Sequence, residues 1–174
     1  VDGDGRIVIG SQYRNETRHG SFIPSISFGG DVYRLTADGD RDPTFGGGDG
    51  RADVFLHTTD TGSELLDVVF VDGGLRAVWD TFGSDTTRIH HVSGFDDSGT
   101  PDDAPDVTFP LPRHGLFEYG FDDAGRILAS GVGNRDETAV EADVFVRRFL
   151  ADGSVDRSYG NRGEARVDAF SKND

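Results

Sequence analysis

The sequence predicts an all-β fold built from short antiparallel strands that are joined by tight turns. Its 174 residues include 25 Gly and 6 Pro, the residues that most often interrupt helices and form turns. Short apolar runs alternate with these turn residues along the chain, and none shows the period of about 3.6 residues that marks an amphipathic helix. Together these observations exclude a fold of the α/β class.

A glycine turn followed by a short apolar run occurs in three places. The segments are residues 4–10, 73–78 and 124–131, and the last of them reads Ala-Gly-Arg-Ile-Leu-Ala-Ser-Gly. Runs of Ile, Val and Leu directly after a turn predict strands. The recurrence of the same element indicates an internal repeat.

A second recurring element ends a strand in a glycine turn and carries an aspartate three residues later. The pairs are Gly39 and Asp42, Gly99 and Asp102, and Gly153 and Asp156. An aromatic residue and a glycine follow the first and third of these turns, at Phe45-Gly46 and Tyr159-Gly160. The second copy is the divergent one.

These elements divide a single repeat array, residues 1–174, into three approximate units at 1–60, 61–112 and 113–174. The third unit shows its four predicted strands most plainly, at residues 116–121, 126–130, 143–149 and 164–168. Four short strands in roughly 50–60 residues is the size of a propeller blade. The sequence therefore predicts a β-propeller-like array of three four-stranded antiparallel blades.

The repeat resembles a known family. Three segments show the resemblance: Asp-Gly-Arg-Ile-Val-Ile-Gly from residue 4, Asp-Val-Tyr-Arg-Leu-Thr-Ala-Asp-Gly from residue 31, and Asp-Val-Phe-Val-Arg-Arg-Phe-Leu-Ala-Asp-Gly from residue 143. This pattern is similar to the delta-60 repeat, although the second unit matches it only loosely. The resemblance implies propeller blades in a large secreted or surface protein of bacteria, and it supplies no catalytic residues.

Three units leave open sheet edges, because single-chain propellers usually have four to eight blades. The first unit lacks most of its innermost strand, since the chain begins at Val1 where the end of that strand is expected. We expect the edges to be covered by the remaining blades of a longer chain. The alternative is a second copy of the chain that completes a six-bladed ring.

The composition limits the classes of partner that we expect the chain to bind. A formal net charge of −15 repels the phosphate backbone, so we expect no nucleic acid as a partner. No run approaches the roughly 20 apolar residues of a membrane helix, so we expect no membrane insertion. The absence of cysteine excludes disulfides, thiolate metal sites and a thiol nucleophile. The resemblance to the delta-60 repeat implies an extracellular or bacterial cell-surface location, with which the absence of cysteine is compatible.

The candidate ligand-binding residues lie in the long connections, which the propeller pattern places on one face. Residues 11–30 are predicted to be a long loop, joined on that face by residues 57–64, 110–115 and 133–142. We expect it to bind a protein or carbohydrate ligand through a set that includes a repeated polar motif: Arg14, Asn15, Glu16, Phe22, Phe28, Arg135, Asp136 and Glu137. The alternatives are that the apolar side chains cover a sheet edge and that the polar ones form turns.

One aspartate-rich turn has the spacing of a calcium loop. Carboxylates at positions 1, 3, 5 and 12 suit the oxygen ligands that calcium prefers, and here they are Asp38, Asp40, Asp42 and Asp49. Against this interpretation, Pro43 occupies the sixth position, where such loops use glycine. A turn of this kind needs no metal, so calcium is an optional cofactor and no other cofactor is expected.

An enzymatic function would need a nucleophile or an acid/base pair, and a histidine beside a carboxylate can act as a base near neutral pH. The candidates are His57, His90, His91 and His114, with Asp60, Asp85 or Asp136. His90 and His91 are adjacent on a predicted strand and must point to opposite faces. No nucleophile elbow, paired-histidine helix or phosphate loop is present, and Trp79 is predicted to pack in the core.

The sequence therefore predicts a non-catalytic binding or scaffolding module of a secreted or cell-surface protein. One alternative is a propeller-based hydrolase or lyase that uses a His/Asp pair. Another is a purely structural spacer that is stiffened by calcium.

Overall fold

The computed structural model describes residues 1, 4–17, 25–57, 62–71, 73–82, 88–102, 107–109, 117–133 and 143–167. These residues form eleven strands and one short 3-10 helix at Gly46–Gly48, with no α-helix among them. The chain divides into two compact units, Val1–Asp106 and Val107–Asp174, and each is described by itself.

The strands form three antiparallel sheets, with the orders β1-β2-β3, β4-β5-β6-β7 and β8-β9-β10-β11. Their bounds are β1 Ile7–Thr17, β2 Ser25–Leu35, β3 Arg51–His57, β4 Gly62–Val71, β5 Gly74–Phe82, β6 Arg88–Asp96, β7 Val107–Phe109, β8 Phe117–Phe121, β9 Ile127–Gly133, β10 Asp143–Phe149 and β11 Glu164–Val167. The all-β prediction, with antiparallel sheets of three or four strands, is confirmed.

The four strands predicted between residues 116 and 168 are all present. β10 has the predicted bounds, and β8, β9 and β11 differ from their predicted ends by one to three residues. The turn residues set these limits, because Gly125 before β9 and Gly163 before β11 adopt positive φ angles of 70° and 102°.

The prediction of a long loop at residues 11–30 is wrong for its described residues, 11–17 and 25–30, which all lie in strands. β1 continues to Thr17 and pairs residue for residue with β2, which begins at Ser25. Gly29 and Gly30 are poor strand formers on propensity alone. The rings of Tyr13 and Phe55 cover them, since an added Cβ would lie 2.3 Å and 2.5 Å from these rings.

The core of the first unit lies between the sheet that contains β2 and the sheet that contains β5. It is a cluster of buried apolar side chains, with Val8, Val54, Leu65, Val68 and Phe70 packed around it: Val32, Phe45, Ala52, Leu75, Ala77 and Phe95. Phe45 comes from the loop before β3 rather than from a strand. Burial of this loop residue fixes the loop against the sheets.

The core of the second unit is smaller. Phe145 and Phe149 on β10 are buried, as are Ile127 and Ala129 on β9. The register pairs Phe149 with Ile127, so apolar side chains lie opposite one another on one face of the sheet.

Three glycine turns that follow β2, β6 and β10 are closed by the same hydrogen bond. Gly39 N donates to Thr36 O at 3.0 Å, Gly99 N to Asp96 O at 3.0 Å, and Gly153 N to Leu150 O at 2.9 Å. All three glycines have positive φ angles, between 79° and 90°. Each turn therefore needs the left-handed conformation that glycine adopts without strain.

Candidate functional site

The described ligand-binding candidates lie on the hairpin of β1 and β2. Arg14 is directly opposite Phe28, Asn15 is opposite Ser27, and Glu16 is opposite Ile26. Arg14, Asn15 and Glu16 are exposed and Phe28 is half-buried. The structure therefore brings these four candidates together, on strands rather than on a loop.

The strand alternation divides these residues between two faces. Side chains two residues apart share a face, so Arg14 and Glu16 lie on the face of Gly10 and Gln12, and Asn15 lies on the other. Phe28 shares the face of Arg14 because the two are cross-strand partners. We call Gln12, Arg14, Glu16 and Phe28 the hairpin surface.

A groove between β1 and β4 borders the hairpin surface at Gln12. It has a volume of about 300 Å³, and its lining comes from β1 and β4: Val8, Gly10, Ser11, Gln12, Leu65, Leu66, Asp67 and Val68. Gln12 Oε1 accepts a hydrogen bond from Leu65 N at 3.0 Å. The register of β4 shifts between Leu65 and Asp67, so the groove wall contains a β-bulge at Leu66.

The other ligand-binding candidates, Phe22, Arg135, Asp136 and Glu137, lie outside the described residues. So do residues 58–61, 110–115 and 134–142 of the connections expected on the same face.

The proposed calcium ligands are placed in different surroundings. Asp42 Oδ2 accepts from Arg34 Nε at 2.8 Å, and its Oδ1 accepts from Thr44 Oγ1 at 2.6 Å and from Thr44 N at 2.9 Å. The Thr44 bonds and the Arg34 charge hold the pKa of Asp42 below its usual value of 3.8. Asp49 Oδ1 accepts from Arg51 N at 2.9 Å, whereas Asp38 and Asp40 are exposed.

The hydrogen bonds of Asp42 and Asp49 compete with calcium binding at this turn. Within the described part of the chain, no group of three or more His, Asp or Glu side chains is arranged to hold a metal ion. A calcium ion bound by Asp42 would displace the Arg34 guanidinium from a buried pair. Calcium binding by Asp38, Asp40, Asp42 and Asp49 stays a prediction. A bound ion would have to replace the hydrogen bonds that Asp42 and Asp49 accept.

The buried Arg34 pair has a counterpart in the second unit. Arg148 Nε donates to Asp156 Oδ2 at 2.8 Å, and Ser158 Oγ donates to Asp156 Oδ1 at 2.6 Å. The guanidinium carbon of Arg34 lies 4.7 Å from the Phe45 ring centre, and that of Arg148 lies 4.6 Å from the Tyr159 ring centre. These recurring aspartates are therefore the acceptors of a structural contact.

Histidines 90 and 91 point to opposite faces of β6, as predicted. His90 is 2% exposed and is directly opposite Asp80, which is fully buried. His91 stacks on Trp79 with 4.0 Å between ring centroids. The side chain of His57 and all of His114, Asp60, Asp85 and Asp136 lie outside the described residues.

Trp79 packs in the core, as predicted. Its other face stacks on Phe55 at 4.8 Å, and its Nε1 donates to Ser93 Oγ at 3.0 Å. With 5% of its surface exposed, the indole offers no free face for a sugar ring.

The pKa values of the following carboxyls are all lowered: Asp42, Asp96, Asp122, Asp152, Asp156 and Glu164. Hydroxyl donors are the main cause for Asp152 and Asp156, from Ser154 and Ser158. A general acid that works near neutral pH needs a raised pKa instead. These carboxylates are therefore suited to accept structural hydrogen bonds and not to donate protons.

No family model, curated protein or solved structure matches this chain. In the described part of the chain, no helix is long and apolar enough to cross a membrane.

Proposed function

We propose that this chain is a propeller-type repeat array that serves as a non-catalytic binding or scaffolding module of a secreted or cell-surface bacterial protein. Its ligand is a protein or a carbohydrate bound at the hairpin surface. The observation that carries this proposal is the cross-strand opposition of the exposed Arg14 and the half-buried Phe28, on the strand face of Gln12, which lines the neighbouring groove.

The hairpin surface combines the group types that recognise such ligands. A guanidinium, an amide and a carboxylate offer directional hydrogen bonds, and the adjacent ring offers apolar area. The groups stand on paired strands, which hold them more rigidly than a loop would. Arginine and aromatic side chains are also the residues that contribute most to protein interfaces.

The propeller arrangement is supported by the three consecutive antiparallel sheets and by the three turns with one hydrogen-bond pattern. The delta-60 resemblance adds to this. Three blades need partners at their open edges, which we assign to further blades of a longer chain, with a second copy of the chain as the alternative.

Ligand capture tests the binding function. Immobilised wild-type chain is exposed to a panel of surface polysaccharides and extracellular-matrix proteins, beside an Arg14→Ser/Phe28→Ser variant. Ile9→Ser is the matched control, since Ile9 is an exposed apolar residue of the same strand outside the hairpin surface. We expect the double variant to lose capture and the control to keep it. Equal capture by all three proteins, with circular dichroism confirming their folds, would refute the proposed surface.

Light-scattering mass, measured with and without calcium, tests the assembly. A monomer of 18.8 kDa supports the arrangement in which further blades of a longer chain cover the open sheet edges. A stable dimer supports a ring that is completed by a second copy of the chain. A rise in melting temperature with calcium, without any ligand in the capture panel, would favour the structural spacer instead.

The opposition of Asp80 and His90 favours a hydrolase or lyase as the second candidate function. A carboxylate beside an imidazole can support general base catalysis. Both side chains are buried, so this pair is not exposed to a substrate in the structure. Turnover of ester and polysaccharide substrates that is lost in a folded His90→Gln variant would favour this candidate.

A further inference from the structure

The second unit contains a small open cavity with a mostly charged lining. Its volume is about 390 Å³, and it is lined by Arg147, Val155, Arg157, Asn161, Arg162 and Glu164. Arg147 stands on β10 and Glu164 begins β11, so paired strands fix one wall. A cavity of this size accepts a small molecule.

The cavity carries positive charge in a strongly negative chain. Glu164 accepts from Arg147 Nη2 at 2.6 Å and also from Arg166 Nε. Burial alone would raise the pKa of Glu164, but these two arginines outweigh burial and lower it, so the side chain is ionised at neutral pH. Three arginines and one glutamate therefore give the lining two net positive charges, while the whole chain carries −15.

Two of these arginines are available to a ligand. Arg157 and Arg162 are exposed, and neither forms an ion pair with any residue that the structure describes. Arg147 shares its partner, Glu164, with Arg166. An added anion would meet guanidinium donors that are not yet saturated.

The turn itself does not require these arginines, as the first sheet shows. Asp42 N donates to Arg34 O at 2.9 Å and Asp156 N donates to Arg148 O at 3.0 Å, which aligns the two segments. Arg147 then corresponds to Tyr33 and Arg157 to Pro43. The same backbone contact forms without arginine at either position.

Arg162 adds an independent observation. Among the described residues it is the one non-glycine residue with a positive φ, at 57°. A residue with a Cβ is disfavoured in this conformation. The corresponding loop of the first sheet has Gly46-Gly47-Gly48, all at positive φ. An arginine held in this disfavoured conformation points to a use for its side chain.

We propose that this cavity binds the carboxylate of a small organic anion, either an acidic sugar or an organic acid. The guanidinium fork matches the two oxygens of a carboxylate, and the Asn161 amide can bond a neighbouring hydroxyl. A long polyanion would be repelled by the rest of the chain, whereas charges more than about 8–10 Å away are screened for a small ion. This site is in the second unit and does not involve the hairpin surface.

Calorimetric titration of the whole chain tests the site with four probes: sodium glucuronate, malate, glucose and inorganic phosphate. We expect saturable binding of a carboxylate with a dissociation constant of about 1 mM or lower, weakening as salt is added. Binding of glucuronate alone identifies an acidic sugar, and comparable binding of malate identifies an organic acid. The proposal is overturned if neither carboxylate saturates, or if glucose or phosphate binds as tightly as they do.

Variants locate the binding. Arg157→Ala/Arg162→Ala should weaken carboxylate binding at least tenfold, and Arg162→Gly alone should weaken it while fitting the backbone better. Arg41→Ala is the matched control, because Arg41 is an exposed arginine at the equivalent turn of the first sheet. Unchanged affinity in Arg162→Gly, or an equal loss in the Arg41 variant, would assign the binding to general charge attraction and overturn the site.

Discussion

Arg34 Nη1 lies 3.0 Å from Asp97 Oδ1, although 63 positions separate the two residues in the sequence. The same guanidinium pairs with Asp42 and donates from Nη2 to Thr44 Oγ1 at 2.9 Å. Its side chain is 1% exposed. One buried arginine therefore joins β2 and its following turn to the turn after β6.

Replacement of Arg34 is predicted to destabilise the first unit strongly. Arg34→Ala leaves the carboxylate of Asp42 buried without its partner, and such losses cost about 3–5 kcal/mol. Chemical denaturation measures this as a lower free energy of unfolding.

Arg6→Ala is the control for this prediction. Arg6 also pairs with Asp97, at 3.2 Å, but it is 24% exposed. An exposed pair contributes about 0–1 kcal/mol. Equal losses in the Arg6 and Arg34 variants would contradict the role given to the buried guanidinium.

Substitutions of two glycines at equivalent turns distinguish the cost of backbone strain from the cost of a steric clash in the core. Gly39 has a φ of 90° with nothing within 4 Å of an added Cβ, whereas Gly99 has a φ of 79° and an added Cβ would lie 2.7 Å from the Phe45 ring. Gly39→Ala should cost about 1–2 kcal/mol from the left-handed backbone alone. Gly99→Ala should cost clearly more, because Phe45 is fully buried and cannot move aside.

The difference between the two midpoints of denaturation is the measurement. If Gly39→Ala proves as harmful as Gly99→Ala, then the contact between this turn and Phe45 does not contribute to stability.

Local sequence is sufficient to predict the strands and turns but not the hairpin of β1 and β2. Strands such as β10 lie between glycine turns, and local residue chemistry marks both ends. Gly29 and Gly30 favour a loop on propensity, because their strand character depends on Tyr13 and Phe55, which are distant in the sequence. The strand propensity of a residue does not include packing by an aromatic ring on a neighbouring strand.

Local sequence also fails to show the partners of the recurring aspartates and the lining of the arginine cavity. Asp42 and Asp156 are visible as recurring aspartates, but their partners Arg34 and Arg148 stand eight positions earlier, inside strands that carry no turn signal. A recurring Arg and Asp at that spacing is the signal that identifies them. Asp80 can be found from hairpin symmetry, because it and His90 are equally far from residue 85. The arginine cavity cannot be found from local sequence, since its lining joins two paired strands to two turns.

Tyr13 is predicted to hold the outer part of the hairpin together. Tyr13→Ala uncovers Gly29 and should increase hydrogen exchange of the amides of residues 14–17 and 25–28, by about tenfold for each 1.4 kcal/mol lost. Tyr13→Phe keeps the ring and serves as the control. Unchanged exchange in Tyr13→Ala would show that the strand pairing does not depend on this ring.

Acid is predicted to destabilise the fold through the carboxylates of its turns. Hydrogen bonds from the Ser98 hydroxyl and from Thr100 N hold the pKa of Asp96 below its usual value of 3.8, and Ser154 acts in the same way on Asp152. The unfolded chain therefore binds more protons than the folded chain as these groups titrate. Their stabilising contribution is complete above the unfolded pKa and is lost as pH falls through the folded pKa.

The free energy of unfolding should therefore fall below about pH 4, where unfolded aspartates begin to be protonated. Relief of repulsion in a chain of charge −15 acts in the opposite direction, so a rise in stability between pH 5 and pH 3 would show that repulsion dominates. Asp96→Asn keeps an oxygen that can accept from Ser98 and Thr100 but does not titrate. Its stability should fall less over this interval than that of the wild type, and equal slopes would show that Asp96 does not contribute to the acid response.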